Sequence, residues 1–427
     1  MNTELDAKAG PDLEARFDAI RSRALPIGLA GLGISLAGAL IHPSGFFPAY
    51  VAAFLFWTSV SLASIGLCLL HQLVGGGWAL PLRRPMEAAG SLIVLMAVFF
   101  IPIVLGLGYA YAWADPAVVN PEYIVDGHKT EAFNHHVAAK TEIFLNRPAF
   151  LTRAVVYFAI WAAAAYVVNA WSREQDGRAD DAPSRRLATV AGPLTVAMFL
   201  SVSFAAFDWG MSRDPDWYST IYGAMFIVGS ILSTLALGMV FTIRNSAYEP
   251  IRSALTVGRM NDVGNLLLAF TMLWAYMSFS QFLIIWLGNI PEEVVWYARR
   301  IHGIWGAVAL GLIAFGFFAP FLALLQRQHK RAAAWVLPIA TWILVMRTVD
   351  VAWLILPGYS KLEEAGFPWA SVAFYYAALA GIGGVWVAAF LGRLRSAPLV
   401  PLRDPRIVAA VEHERAHESK HTGGAVL

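Results

Sequence analysis

Residues Ser203 to Phe226 read SFAAFDWGMSRDPDWYSTIYGAMF. One apolar run enters this stretch and another leaves it. Between them Asp208, Asp214 and Asp216 stand beside Trp209, Trp217 and Tyr218. If both runs cross a membrane, the stretch is a tight hairpin at one face, with its aromatics at headgroup level. Three carboxylates at such a place cost energy unless they are solvated, paired or used for protons.

The rest of the chain supports the hairpin. Its 427 residues are 58% hydrophobic and only 14% charged, with mean hydropathy +0.58. Soluble domains carry about 25% charged residues, so an all-α polytopic membrane protein is expected. Apolar runs of spanning length number about ten, at roughly 24–42, 49–73, 87–112, 148–172, 187–210, 219–244, 262–288, 298–326, 332–357 and 369–394. Small residues recur within them, as in GLAGLGISLAGAL, and favour close helix contact. Pro102, Pro193, Pro320 and Pro338 mark kinks or helix starts.

Lys and Arg set the orientation. With the N-terminus inside, 22 of the 31 fall in internal segments and 7 in external ones, with Arg153 and Arg347 inside spans. Both termini are therefore expected in the cytoplasm. The chain divides into a cytoplasmic segment 1–23, a membrane domain 24–394 and a cytoplasmic tail 395–427. The polar start MNTELDAKAGPDLEARFDAIRSR does not read as a signal peptide, so the first apolar segment itself is expected to start insertion. The opening hairpin and the polar connection 113–147 fall outside, where a partner can sit.

Several classes of chemistry drop out. Cys68 is the single cysteine, which rules out an internal disulfide, a Cys-ligated iron–sulfur cluster and c-haem attachment. His42 and His302 sit at outer span ends and His71 at an inner one, an arrangement that does not suit haem b. There is no phosphate loop, HExxH or nucleophile elbow. A net charge of +2 without a basic stripe gives no nucleic-acid surface. The tail carries His413, His417 and His421 at spacing four, which is ordinary for a solvated helix.

Spans two to five and six to nine overlay as two four-helix units of one orientation, with bundle one at about 49–210 and bundle two at about 219–357. The second helix of each starts with a carboxylate, Glu87 in RRPMEAAG and Asp262 in RMNDVGN. The fourth carries one toward the outside, Asp208 in SFAAFDW and Asp350 in MRTVDVAW. Spans one and ten, 24–42 and 369–394, are peripheral.

Arg347 and Asp350 stand three apart and share a helical face. They are either a structural pair or a proton or quinone-headgroup site, and their outer position lets them approach Asp208. His302, beside Arg299 and Arg300, is an interfacial residue or a proton carrier. Tyr276, Ser278, Ser280 and Gln281 of span seven bond neighbouring helices or line a wet path. Glu87 and Asp262 sit where a helix dipole favours a carboxylate, or where protons enter from the cytoplasm. In the hairpin, Asp208 is the acid expected to carry chemistry; Asp214 and Asp216 are expected in an external turn beside Arg213 and Pro215, solvated or touching an outer subunit.

The strings AAFDWGMSRDPDWYSTIYGAMFIVGS, DVGNLLLAFTMLWAYMSFSQFLIIWLGNIPEEVVWY and WILVMRTVDVAWLILP, with GGGWALPLRRPMEAAG and NRPAFLTRAVVYFAIW, resemble the NrfD-like (polysulfide-reductase-type) membrane subunits. The likeness runs from about Arg83 to Pro357 and is closest to the second such subunit of alternative complex III, a bacterial quinol:cytochrome c oxidoreductase. It implies two four-helix bundles in a bacterial inner membrane and a place in a respiratory chain. The implied partners are another NrfD-like subunit, an iron–sulfur subunit, and multihaem and monohaem cytochrome c subunits. Those partners would hold the iron–sulfur and c-type haem centres, leaving this chain without a redox centre.

The resemblance carries proton transfer onto Asp208, Arg347 and Asp350 toward the outside and Asp262 at the inner face. The family's usual HDLGKLL is NDVGNLL here, with Asn261 for His and Asn265 for Lys, which removes two ionisable groups beside Asp262. A quinone (menaquinone) cavity in bundle one would have Tyr109, Tyr111, Asp115 and Arg153 as its polar groups. A purely structural anchor and a stand-alone secondary transporter are the rival expectations.

Overall fold

The computed structural model describes residues 9–125, 128–129, 133–358, 369–401, 403–409 and 411–412. Lys361, counted above, and the His413, His417 and His421 stripe lie outside the described residues. Ten helices among those described are long and apolar enough to cross a membrane. They are α1 (Pro11–Ile41), α2 (Pro43–Val74), α3 (Arg83–Leu105), α4 (Arg147–Asp176), α5 (Ala182–Trp209), α6 (Tyr222–Arg244), α7 (Val257–Gly288), α8 (Gly303–Leu325), α9 (Ala333–Ile355) and α10 (Trp369–Arg395). The protein is an all-α polytopic membrane protein.

Helices α2, α3, α4 and α5 pack as one bundle and α6, α7, α8 and α9 as another. Contacts between the bundles are reciprocal: α2 meets α6, and each of these also meets the fourth helix of the other bundle, α9 and α5 respectively. Two copies of one unit related by a two-fold would pack this way. Helices α2 and α6 form the centre, with 83% and 72% of their apolar windows buried against 17% for α7 and α8. Trp209, at the end of α5, anchors bundle one among Phe54, Phe100, Phe158 and Trp161.

Helix α1 packs chiefly on α10 and touches the bundles at α2 and at the end of α6. Their seam is glycine on glycine. A Cβ on Gly31 would stand 2.7 Å from the Gly381 Cα, and one on Gly384 would stand 2.5 Å from the Gly28 Cα. Such a distance admits only hydrogen, so the small residues of GLAGLG and AGIGG let the backbones touch.

Several boundaries differ from those expected. Helix α1 begins at Pro11, thirteen residues before its apolar run, because Leu13 and Phe17 are buried and Phe17 packs on Phe241. Helices α3 and α7 begin at Arg83 and Val257 rather than 87 and 262. Span eight begins at Gly303, whose φ of +58° breaks the chain from a separate short helix, Pro291–Ile301. Pro193 and Pro338 lie inside continuous helices, while Pro320 follows a widened π segment, Leu312–Phe318. The start of the tail is packed rather than solvated: Leu399, Val400 and Ile407 are buried, and Val400 and Ile407 sit with Leu80 and Ala254. In the outer connection two short strands pair Ile124 with Lys129.

Candidate functional site

Six carboxylates are buried among the described residues, and four of them, Glu87, Asp208, Asp214 and Asp350, are each held by arginine. In bundle one Asp208 is wholly buried at the end of α5. Arg153 of α4 grips it with two hydrogen bonds of 2.8 Å, and the Tyr157 hydroxyl adds a third at 2.8 Å. Arg153 and Tyr157 are four apart, so one face of α4 delivers both. The guanidinium also lies 3.9 Å from the Phe144 ring centroid and donates to the Phe144 carbonyl. Two residues expected in different roles, a proton carrier and a quinone contact, are therefore one ion pair.

In bundle two Arg347 pairs with Asp350 one turn along α9, as the spacing implied. The Trp274 ring of α7 lies 6.0 Å from the Arg347 guanidinium, and Ser233 of α6 stands 3.4 Å from Arg347 Nε. Gly229 makes room for the guanidinium, since a Cβ there would come within 2.6 Å of Arg347 Cζ. Asp350 does not meet Asp208. Their hydrogen-bond partners are separate, and each carboxylate is closed within its own bundle.

Near the start of α3 Glu87 accepts from Arg83, Arg84 and Ser172 Oγ, each at 2.6 Å, and Arg84 reaches on to Asp176. Arg83 also donates to the Cys68 carbonyl. The helix-dipole explanation fails for Glu87 and for Asp262. With the starts at Arg83 and Val257, neither is in its first turn, where the dipole acts. Asp262 lies on an exposed face of α7.

The outer junction is the site that sequence reasoning missed. Asp214 is buried, not solvated, with Arg299 at 2.7 Å and Arg300 at 2.9 Å. Arg300 is 1% exposed and stacks 3.8 Å over Trp296, which in turn stacks on Trp217 at 4.5 Å. Burial lowers the Arg300 pKa from its ordinary value, and Asp214 works in the opposite direction. The adjacent Arg213 donates to the carbonyls of Ile355, ending α9, and of Ala110, beyond α3. It thereby satisfies helix-end carbonyls from both bundles. The available signal was the RD pair in one outer loop and the RR pair in another.

The remaining candidates are scattered. Tyr276 is 67% exposed on α7, and His302 is exposed at the break before α8. Tyr109 stacks on Phe47, and Asp115 is buried, accepting from the Ala117 amide at the start of a short helix. Gln281 is buried with neither amide atom hydrogen-bonded within the protein, so one polar group of span seven has unused bonding capacity. Outside the bundles a groove of about 1800 Å³ runs between the connection 112–145, the hairpin and the helix Pro291–Ile301, with Asp214, Trp217, Trp296 and Arg299 among its lining. Among the described residues no three His, Cys, Asp or Glu converge as metal ligands. Neither a scan against protein-family models nor a search of curated proteins found a match to this chain.

Proposed function

We propose that this chain is an NrfD-like membrane subunit of a bacterial quinol oxidoreductase complex, which helps to move protons while partner subunits carry the electrons. The Arg347–Asp350 pair is the observation that carries this reading. Its two charges are buried in a span and sit on a single helix, with only the neutral Ser233 and Trp274 against them from α6 and α7. Intramembrane ionisable groups of this kind mark ion and proton routes. Arg347 donates to Asp350 and to Ser233 at once, with Gly229 leaving room for its guanidinium. Proton uptake at Asp350 requires Arg347 to swing off the carboxylate, and its return drives the proton out. With a single, buried cysteine, the chain offers no cysteine set for an iron–sulfur cluster. The groove beside the hairpin and the helix Pro291–Ile301 is where an iron–sulfur or cytochrome c subunit would dock.

A structural anchor is the second reading, favoured by the arginine partners of Glu87, Asp208, Asp214 and Asp350. One experiment separates the two. In the complex purified with its partners and placed in proteoliposomes, Asp350→Asn is expected to lower the protons moved per electron while assembly and haem content stay unchanged. Unchanged proton movement selects the anchor. Purification of the chain alone, without haem colour or iron, refutes both and points to a transporter.

A further inference from the structure

A cleft of about 430 Å³ opens between α1, α2, α3, α6 and α10, toward the end of the molecule rich in Lys and Arg. Its deep walls are apolar, with Met86, Leu237, Phe241 and Phe390 among them. The two hydroxyls lining it, Ser64 and Thr234, both donate to the Val60 carbonyl, so the walls offer a ligand no free polar group. The mouth is different. Arg16, Ala19, Ile20 and Arg23 follow the spacing of one face of α1, and Arg244 closes the rim from the end of α6.

No Asp or Glu lines this cleft. Arg16 is fixed by neutral acceptors, its Nε donating to Asn245 Oδ1 at 3.0 Å and its Nη2 to the Arg244 carbonyl at 3.2 Å. Asn245 is itself buried and anchored to the Phe241 carbonyl. The nearby acids of α1, Glu14 and Asp18, pair instead with Arg395. Among the described residues Arg23 and Arg244 carry no ion pair. Three cations therefore converge over an apolar slot, and the rim has no anion to balance them.

We propose that this cleft binds an anionic phospholipid, with the phosphate at Arg16, Arg23 and Arg244 and an acyl chain in the slot. Charge complementarity selects the occupant: basic pockets between spans near the cytoplasmic side bind anionic headgroups. A neutral ligand would leave the three arginines unanswered, and a free phosphate would leave the slot empty.

The test is native mass spectrometry of the full-length chain, in its complex where it purifies as one. Phosphatidylglycerol, phosphatidylcholine or inorganic phosphate is added to mixed micelles. The wild type is expected to retain phosphatidylglycerol about tenfold more tightly than phosphatidylcholine. The triple variant R16Q/R23Q/R244Q is expected to lose that preference. Ala19→Trp, which fills the mouth from an exposed position, is expected to lose the bound lipid while its thermal midpoint in lipid-free detergent stays that of the wild type. Equal retention of the two lipids by the wild type overturns the proposal. So does an undiminished preference in the triple variant, or stabilisation by inorganic phosphate equal to that by phosphatidylglycerol.

Discussion

The Arg153–Asp208 pair makes a quantitative prediction. Asp208 is wholly buried and accepts three hydrogen bonds, two from Arg153 and one from Tyr157. Arg153→Met leaves a buried carboxylate with the phenol as its single partner. Removing one member of a buried pair costs about 3–5 kcal/mol. The Arg153 side chain is 21% exposed, so water reaches the site and the lower end, about 3 kcal/mol, is expected. Asp208→Asn keeps the shape and removes the charge, while Arg153 can still be solvated, so about 1–2 kcal/mol is expected. In the double variant no charge is stranded, and its cost should fall about 2 kcal/mol short of the sum of the singles. Unfolding titrations in mixed micelles, followed by circular dichroism, measure all three. Additivity of the singles to within about 0.5 kcal/mol would refute the pair as described.

The other sites give parallel expectations. Gly229→Ala places a methyl where the Arg347 guanidinium lies; it should lower stability by about 1–2 kcal/mol and have no such effect in an Arg347→Met background. A loss that persists there would mean that the methyl collides with something else. Asp214→Asn strands Arg300, which is 1% exposed, and should cost about 3–5 kcal/mol. Arg299→Gln, at a side chain 51% exposed, should cost less than about 1 kcal/mol. Thermal unfolding compares the two, and equal small effects would dissolve the outer junction.

Hydropathy made the ten spans legible because a bilayer demands about 20 apolar residues in a row. It missed helix ends wherever a helix continues into polar sequence. PDLEARFDAIRSR joins α1 because Leu13 and Phe17 supply a buried stripe that an average over the window conceals. Arg347–Asp350 was legible because both partners lie on one helix. Arg153–Asp208 was not, since 55 residues separate them, although Arg153 and Arg347 are the two cations away from the ends of the expected spans. That scarcity was itself the signal. The Arg83–Glu87 contact is local, yet starting the span at 87 put the arginines in the loop. Asp214 was assigned to solvent or an outer subunit because loop residues are exposed by default, and nothing local says that Trp217 and Trp296 cover it.

Three of the four buried pairs have an evident structural use. Arg153–Asp208 joins α4 to α5, and the Glu87 cluster joins α3 to α4 through Ser172 and Asp176. Asp214 ties the hairpin to the helix Pro291–Ile301 at the junction of the bundles. A buried ion pair adds little net stability over apolar packing, but it penalises wrong arrangements, because a misplaced partner strands a charge. Long-range pairs therefore repay their desolvation by fixing which helices meet. Arg347–Asp350 reaches its neighbouring helices through neutral partners alone, Ser233 and Gly229 of α6 and Trp274 of α7. Its charges lie three residues apart on α9 and would find each other wherever that helix packed. A leucine pair at those positions would fill the same space with no desolvation cost. Three of the sites set opposite charges across two elements and the fourth does not, which is why the proposed proton step is placed at Asp350 rather than at Asp208.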